Sequence, residues 1–336
     1  MDTPIYINLP LFVLGLLIII KGSDLFLDNA IWIAKASGVS QVIIGATIVS
    51  LCTTMPELVS SATASIKNAA DMALGNAVGS VICNTGLILG GMLLFVTAKI
   101  RKELFLIKGT FMLGALLTGF FLIWPRPGAE NIYRVERASG IVLLIFLVIY
   151  LVVNYYESIH TLAEPAIEAG QEREEEPTEA APGEWTRRGL LFAGGAAAVA
   201  IGAYLLVEFG QRLARNLNVS EAVISLVFVA LGTSLPELFT AISAVRKKAE
   251  QISVGNIFGA NVLNIALVVG TSSVIRPIQV QDTWLPRMDI PVATALCGFA
   301  FLIGITRGRM GRRTGITLLL LYVAYLLSMI ILGRIG

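Results

Sequence analysis

Cys52-Thr53-Thr54-Met55-Pro56-Glu57-Leu58 and Gly232-Thr233-Ser234-Leu235-Pro236-Glu237-Leu238 stand 180 residues apart. At the same offset, Gly75-Asn76-Ala77-Val78-Gly79-Ser80-Val81-Ile82-Cys83-Asn84 falls on Gly255-Asn256-Ile257-Phe258-Gly259-Ala260-Asn261-Val262-Leu263-Asn264. Between 53–90 and 233–270, 13 of 38 positions are identical without a gap, where chance gives only a few. Gly22, Val39 and Ser40 echo in Gly202, Val219 and Ser220, which carries the repeat upstream. The chain is therefore one unit written twice.

The surroundings of the repeat are apolar. Hydrophobic residues make up 56% of the chain and charged residues 14%, against about 25% charged in a soluble domain. Apolar runs reach about twenty residues, the length that crosses a bilayer core. They predict ten spans: 5–35, 40–66, 70–97, 104–124, 137–157, 186–215, 219–247, 251–275, 288–306 and 313–333. Five spans per half is odd, so the second half must enter the membrane from the opposite side. The expectation is an all-α integral membrane protein of about ten transmembrane helices in two inverted five-helix repeats, an architecture common in secondary transporters. The halves are 1–160 and 186–336, joined by 161–185. Residues 164–184 hold eight glutamates and three prolines and read as a polar spacer.

Lysine and arginine set the orientation. With the N-terminus outside, fifteen fall in inner loops, Lys108 and Arg173 of the linker among them, and nine in outer loops and the C-terminus. Both termini are thus expected outside and the linker in the cytoplasm, in a multi-pass protein of the plasma or inner membrane. No cleavable signal peptide is evident in the first span. The basic residues are scattered, which disfavours nucleic acid, and no required protein partner is evident. Cys52, Cys83 and Cys297 all lie in apolar segments and read as free thiols.

The chemistry sits in the repeated motifs. Pro56 and Pro236 lack an N–H and push away the carbonyl four residues back, at Cys52 and Gly232. In lipid, freed carbonyls need a cavity or an ion. Thr53, Thr54, Thr233 and Ser234 add hydroxyls at the same break, and Glu57 and Glu237 follow at once. A carboxylate at that depth costs too much to be idle. A buried salt bridge or a neutral carboxyl would have to arise twice, in matching proline-broken contexts. Asn76, Ser80 and Asn84 share a helix face, and Gly75 and Gly79 admit a close neighbour. For Asn76 and Asn256 helix glue is the alternative to a role in the site, whereas Asn84 and Asn264 lie deeper and read as ligands. Hard oxygens of this kind suit calcium and also sodium. No His or Cys cluster accompanies them.

Together the motifs resemble the two alpha-repeats of the calcium/cation antiporter superfamily, and are most similar to those of the prokaryotic sodium/calcium exchangers. The resemblance implies a central cation site with Glu57 and Glu237 as calcium and sodium ligands. It adds the oxygens of Thr53, Thr54, Thr233 and Ser234, the carbonyls of Ser50 and Ala230, the hydroxyl of Ser80, and the side chains of Asn84 and Asn264. It also implies that the first and sixth spans slide to open the site to either side. Two departures stand out: many relatives carry aspartate where this chain has Asn264, and Ala260 replaces a serine. The implied function is calcium/sodium exchange by alternating access, with no cofactor. Proton/calcium exchange on the same glutamates is the alternative. An intramembrane protease is disfavoured: the one histidine, His160, lies outside both repeats, and the deep acids are glutamates.

Overall fold

The computed structural model describes residues 4–67, 70–123, 133–163, 183–216, 232–280 and 284–332. Among these, eight helices are long and apolar enough to cross a membrane, and a bent pair makes a ninth. The expected span 219–247 is described only from residue 232, and most of the acidic linker lies outside the described residues.

The first half begins with α1 (Ile5–Ser37). Next come α2 (Gln41–Thr53) and α3 (Met55–Ile66), which meet at a 42° bend. α4 follows, continuous from Ala70–Ile82 through a π-helical turn at Cys83–Leu89 to Gly90–Phe95. α5 (Lys102–Ile123) and α6 (Arg137–Ala163) complete the half. In the second half, α7 (Glu184–Asn216) corresponds to α1 and α8 (Leu235–Arg246) to α3. α9 corresponds to α4, running Glu250–Leu263, a π-helical turn at Asn264–Val269, and Gly270–Ile275. α10 (Leu285–Arg307) and α11 (Arg312–Ile331) close the chain.

Short strands show that the halves are inverted. β1 (Ala98–Lys99) pairs with β4 (Arg309–Met310), and β2 (Tyr133–Val135) pairs with β3 (Ile278–Val280). β1 precedes α5 and β2 follows it, whereas β3 precedes α10 and β4 follows it. The start of α5 therefore lies beside the end of α10, so these repeat equivalents cross the protein in opposite directions. Among the described residues, the two ladders are the only departure from the expected all-helical chain.

α1 and α7 are 33 residues each, or about 50 Å, so they exceed a bilayer core of about 30 Å and must tilt or project. They pack against each other antiparallel. Trp32 meets Trp185 at one end, and Asn8 donates to Asn216 at the other. Glycines let the backbones approach: a Cβ on Gly202 would lie 2.6 Å from the Ile19 nitrogen, and one on Gly22 would lie 2.8 Å from the Ala198 Cβ. α9 runs through the centre with every residue from Ile252 to Leu263 buried. Gly255 and Gly259 bring it against the backbone of α2, where added Cβ atoms would meet the Val42 and Ala46 carbonyls at 2.3 and 2.4 Å.

One expectation is corrected. Lys108 is not a loop residue but lies buried inside α5, ion-paired with Glu157 of α6. A buried ammonium needs a counter-charge, and its repeat mate is the uncharged Met288. Lys108 thus reports local packing and does not count towards orientation. Cys52, Cys83 and Cys297 are free thiols.

Candidate cation site

The two proline motifs build the site in the same way. Thr54 and Ser234 both leave helical geometry, with ψ near zero (φ −83°, ψ −3° and φ −86°, ψ 8°). Pro56 and Pro236 then sit in the first turn of α3 and α8, where their missing N–H is harmless. Glu57 and Glu237 also fall in those first turns, where the helix dipole favours an anion.

Both glutamates are completely buried, and none of their four carboxylate oxygens has a hydrogen-bond partner among the described residues. They are close enough to repel one another. The Thr54 and Ser234 hydroxyls, Asn84 Oδ1 and both polar atoms of Asn264 are likewise buried without a partner among the described residues. Such orphaned groups are rare and each needs a reason. Here they form repeat-related pairs: Glu57 with Glu237, Thr54 with Ser234, Asn84 with Asn264. Asn84 is the second residue of the π-helical turn of α4 and Asn264 the first of that of α9, a widening of the helix common at functional sites.

The outer polar residues have a different task. Thr53 donates to Asn256 Oδ1 at 3.1 Å, and its repeat mate Thr233 donates to Asn76 Oδ1 at 3.1 Å. The asparagines reach on to Thr240 and Ser61. Each half thus clasps the other through one symmetric pair of bonds, and Asn76 and Asn256 are the glue that was one of their two readings. Thr53 also stands beside Glu237. Ser80 faces the Thr233 hydroxyl at 3.5 Å.

Glu57 and Thr53 lie near Glu237, and Ser80 lies beside Thr233, while Thr54 and Ser234, and Asn84 and Asn264, are buried at matching positions of the two repeats. Ser50 is placed differently from a freed carbonyl. Its oxygen accepts the helical hydrogen bond from the Thr54 N–H at 2.9 Å, and the Thr53 hydroxyl, whose one proton goes to Asn256 Oδ1, lies 3.3 Å away. Ala230 lies outside the described residues. Among the described residues, no group of three His, Cys, Asp or Glu side chains is placed to hold a metal ion, so any cation here would lean on amides, hydroxyls and carbonyls.

One central residue escaped the motif reading. Asn261 is fully buried and bonds Asn84 and Thr85. Its repeat mate is Val81, so the duplication does not flag it. A buried asparagine in α9 was the only signal that could have found it. Beside the site, a narrow cleft lined by Phe26, Cys52, Thr53, Pro56, Val199 and Pro236 separates the proline breaks from the α1–α7 pair.

Comparison with known proteins agrees with this geometry. The family profile described as sodium/calcium exchanger protein matches residues 7–156 and 189–331. A sodium/calcium exchanger of Methanosarcina acetivorans, MaX1, is 30% identical over 96% of this chain and 98% of its own length. The inner membrane protein YrbG of Escherichia coli is 29% identical, covering 92% of each chain. A solved structure of the sodium-calcium exchanger NCX_Mj, soaked with sodium and strontium, superposes with a TM-score of 0.81 at 27% identity, covering 97% of this chain and 99% of the other. With the matched profile spanning both halves and the inverted fold in place, the chain belongs to the sodium/calcium exchanger protein family and is a secondary transporter, not an enzyme.

Proposed function

We propose that the protein exchanges calcium for sodium across a cell membrane by alternating access, with both ions bound between Glu57 and Glu237. The observation that carries this is the pair of fully buried carboxylates, whose four oxygens have no hydrogen-bond partner among the described residues. Two uncompensated charges at that depth are too costly to keep empty. One divalent cation neutralises them, and so do two monovalent ones, so the same site serves either load. Asn84 Oδ1, Asn264 Oδ1 and the Thr54 and Ser234 hydroxyls are the neutral oxygens nearest in character to calcium and sodium ligands. Ser80, Thr53 and Thr233 extend the set at its rim. The Ser50 carbonyl joins it through the lone pair that its helical bond leaves, and Ala230 is its repeat mate.

Burial of both glutamates makes this an occluded arrangement. Access to one side then requires movement of the α1–α7 pair, which lies across the cleft from the proline breaks. We place the N- and C-termini outside and the acidic linker in the cytoplasm, with the functional halves at 1–160 and 186–336. The names of MaX1 and NCX_Mj support sodium as the counter-ion.

The test is calcium-45 uptake into liposomes loaded with sodium and diluted into sodium-free buffer. Uptake is expected to require the outward sodium gradient. Glu57→Gln and Glu237→Gln each remove half of the site's charge and are expected to weaken calcium binding by about 3 kcal/mol, on the order of 100-fold. Uptake driven by a proton gradient alone would replace sodium with protons on the same carboxylates. Uptake indifferent to every counter-ion gradient would sink the exchanger reading.

A further inference from the structure

The two site asparagines, though repeat mates, are held differently. Asn264 has neither polar atom partnered among the described residues, so nothing described there fixes which end of its amide faces the glutamates. Asn84 donates through Nδ2 to Asn261 Oδ1 at 3.4 Å, and only its oxygen is left over. Asn261 is itself held, because its Nδ2 donates to Thr85 Oγ1 at 2.8 Å and lies 3.6 Å from Met112 Sδ and from Cys297 Sγ. Thr85 in turn contacts Cys297 Sγ at 3.3 Å. All of these residues are buried.

The chain has a direction. The Asn261 amide has two donors and one acceptor oxygen. Met112 Sδ can only accept, so the Asn261 nitrogen stays on the side of Met112 and Thr85, and its oxygen is presented to Asn84. Asn84 must then answer with its nitrogen, which turns its own oxygen the other way. From these bonds we propose that Asn261 is a positioning residue, which fixes the Asn84 amide so that its oxygen, not its NH2, is offered to the cation. It touches no cation itself. The second half lacks the device, since Val81 stands at the corresponding position and Ile265 corresponds to Thr85. The first-half amide is thus a preset oxygen ligand, and the second-half amide is free to turn as the load changes. The proposal rests on the cation site described above.

The test is equilibrium calcium-45 binding to the purified full-length protein, without any gradient, so the identity of the counter-ion plays no part. Asn261→Val, which installs the residue present in the other half, is expected to weaken calcium binding on the order of 10-fold, as loss of an outer support of a metal ligand does. Thr85→Val removes the anchor at constant volume and is expected to act in the same direction, which keeps the test decisive where Asn261→Val does not fold. In an Asn84→Asp background, Asn261→Val is expected to cost nothing further, because a carboxylate offers oxygen from either end. Equal losses in both backgrounds would make Asn261 a packing residue, and unchanged binding in both single variants would overturn the proposal outright. A wild-type protein that binds no calcium would overturn the cation-site reading itself, and with it the role assigned to Asn84.

Discussion

Glu57 and Glu237 lie at matching positions of two halves, yet the ligand sets around them are unequal. Ser80 in the first half corresponds to Ala260 in the second, which is fully buried. Ala260→Ser restores the missing hydroxyl and adds one oxygen on the second-half side. The sodium concentration that half-saturates exchange is expected to fall several-fold, roughly what one charge-assisted hydrogen bond's worth of ligation supplies; an unchanged sodium dependence would show that position 260 faces away from the ions. At this scale the duplication made the glutamates legible, because a costly group repeated in one context is hard to explain by packing. Asn261 and the Lys108–Glu157 pair occur once each and have no echo to betray them. The bonded Ser50 carbonyl was illegible for another reason: its donor, the Thr54 N–H, belongs to the very turn that proline was expected to open.

Element by element, the largest lever is the seam between α1 and α7. Gly15 and Gly22 on one helix and Gly195 and Gly202 on the other recur at the same repeat positions, and all four would place a Cβ within 3 Å of the opposite helix. Small residues drive helix contact in lipid, where apolar burial supplies no net gain. Gly202→Val inserts its side chain against the Ile19 backbone, so the helices must separate. Exchange is expected to slow at least on the order of tenfold, with equilibrium calcium binding little changed, because the glutamates sit on α3 and α8. A matching loss of binding would place the damage in the site and not in the motion. The lengths of these two helices were plain in the hydropathy pattern, and their antiparallel contact was not. The bend at Thr54 was foreseeable from Pro56. The π-helical turns beginning at Cys83 and Asn264 were not, because no residue type demands i→i+5 bonding.

Across the whole molecule, inversion makes the two faces interchangeable in principle, and the charges at the two faces are paired unequally. Asp28 of α1 pairs with Lys247 beyond α8, while Asp24 binds Ser243 and Arg246. The repeat mates of Asp28 and Lys247 are Glu208 and Lys67. Glu208 pairs instead with Arg212 on its own helix, and Lys67 has no ion-pair partner among the described residues. If alternation swaps the roles of the halves, the Asp28–Lys247 pair opens as Lys67–Glu208 closes. With the three native cysteines replaced by alanine, a cross-linked Asp28→Cys/Lys247→Cys protein is expected to stop exchanging until reduced. A Lys67→Cys/Glu208→Cys protein is expected to cross-link only under ion conditions that favour the other state. Failure of the second pair to cross-link under any sodium or calcium concentration would refute the swap. By itself the sequence determined the membrane setting, the duplication and the two deeply buried glutamates, because apolar length, repeated motifs and isolated charge are properties of the chain read one residue at a time. Only the tertiary structure decided the strand pairings that orient α5 against α10, the cross-half clasp of Thr53 with Asn256 and Thr233 with Asn76, and the support of Asn84 by Asn261. Each of these joins residues more than 140 positions apart, and such partners are chosen by packing of the two halves, which no local pattern encodes.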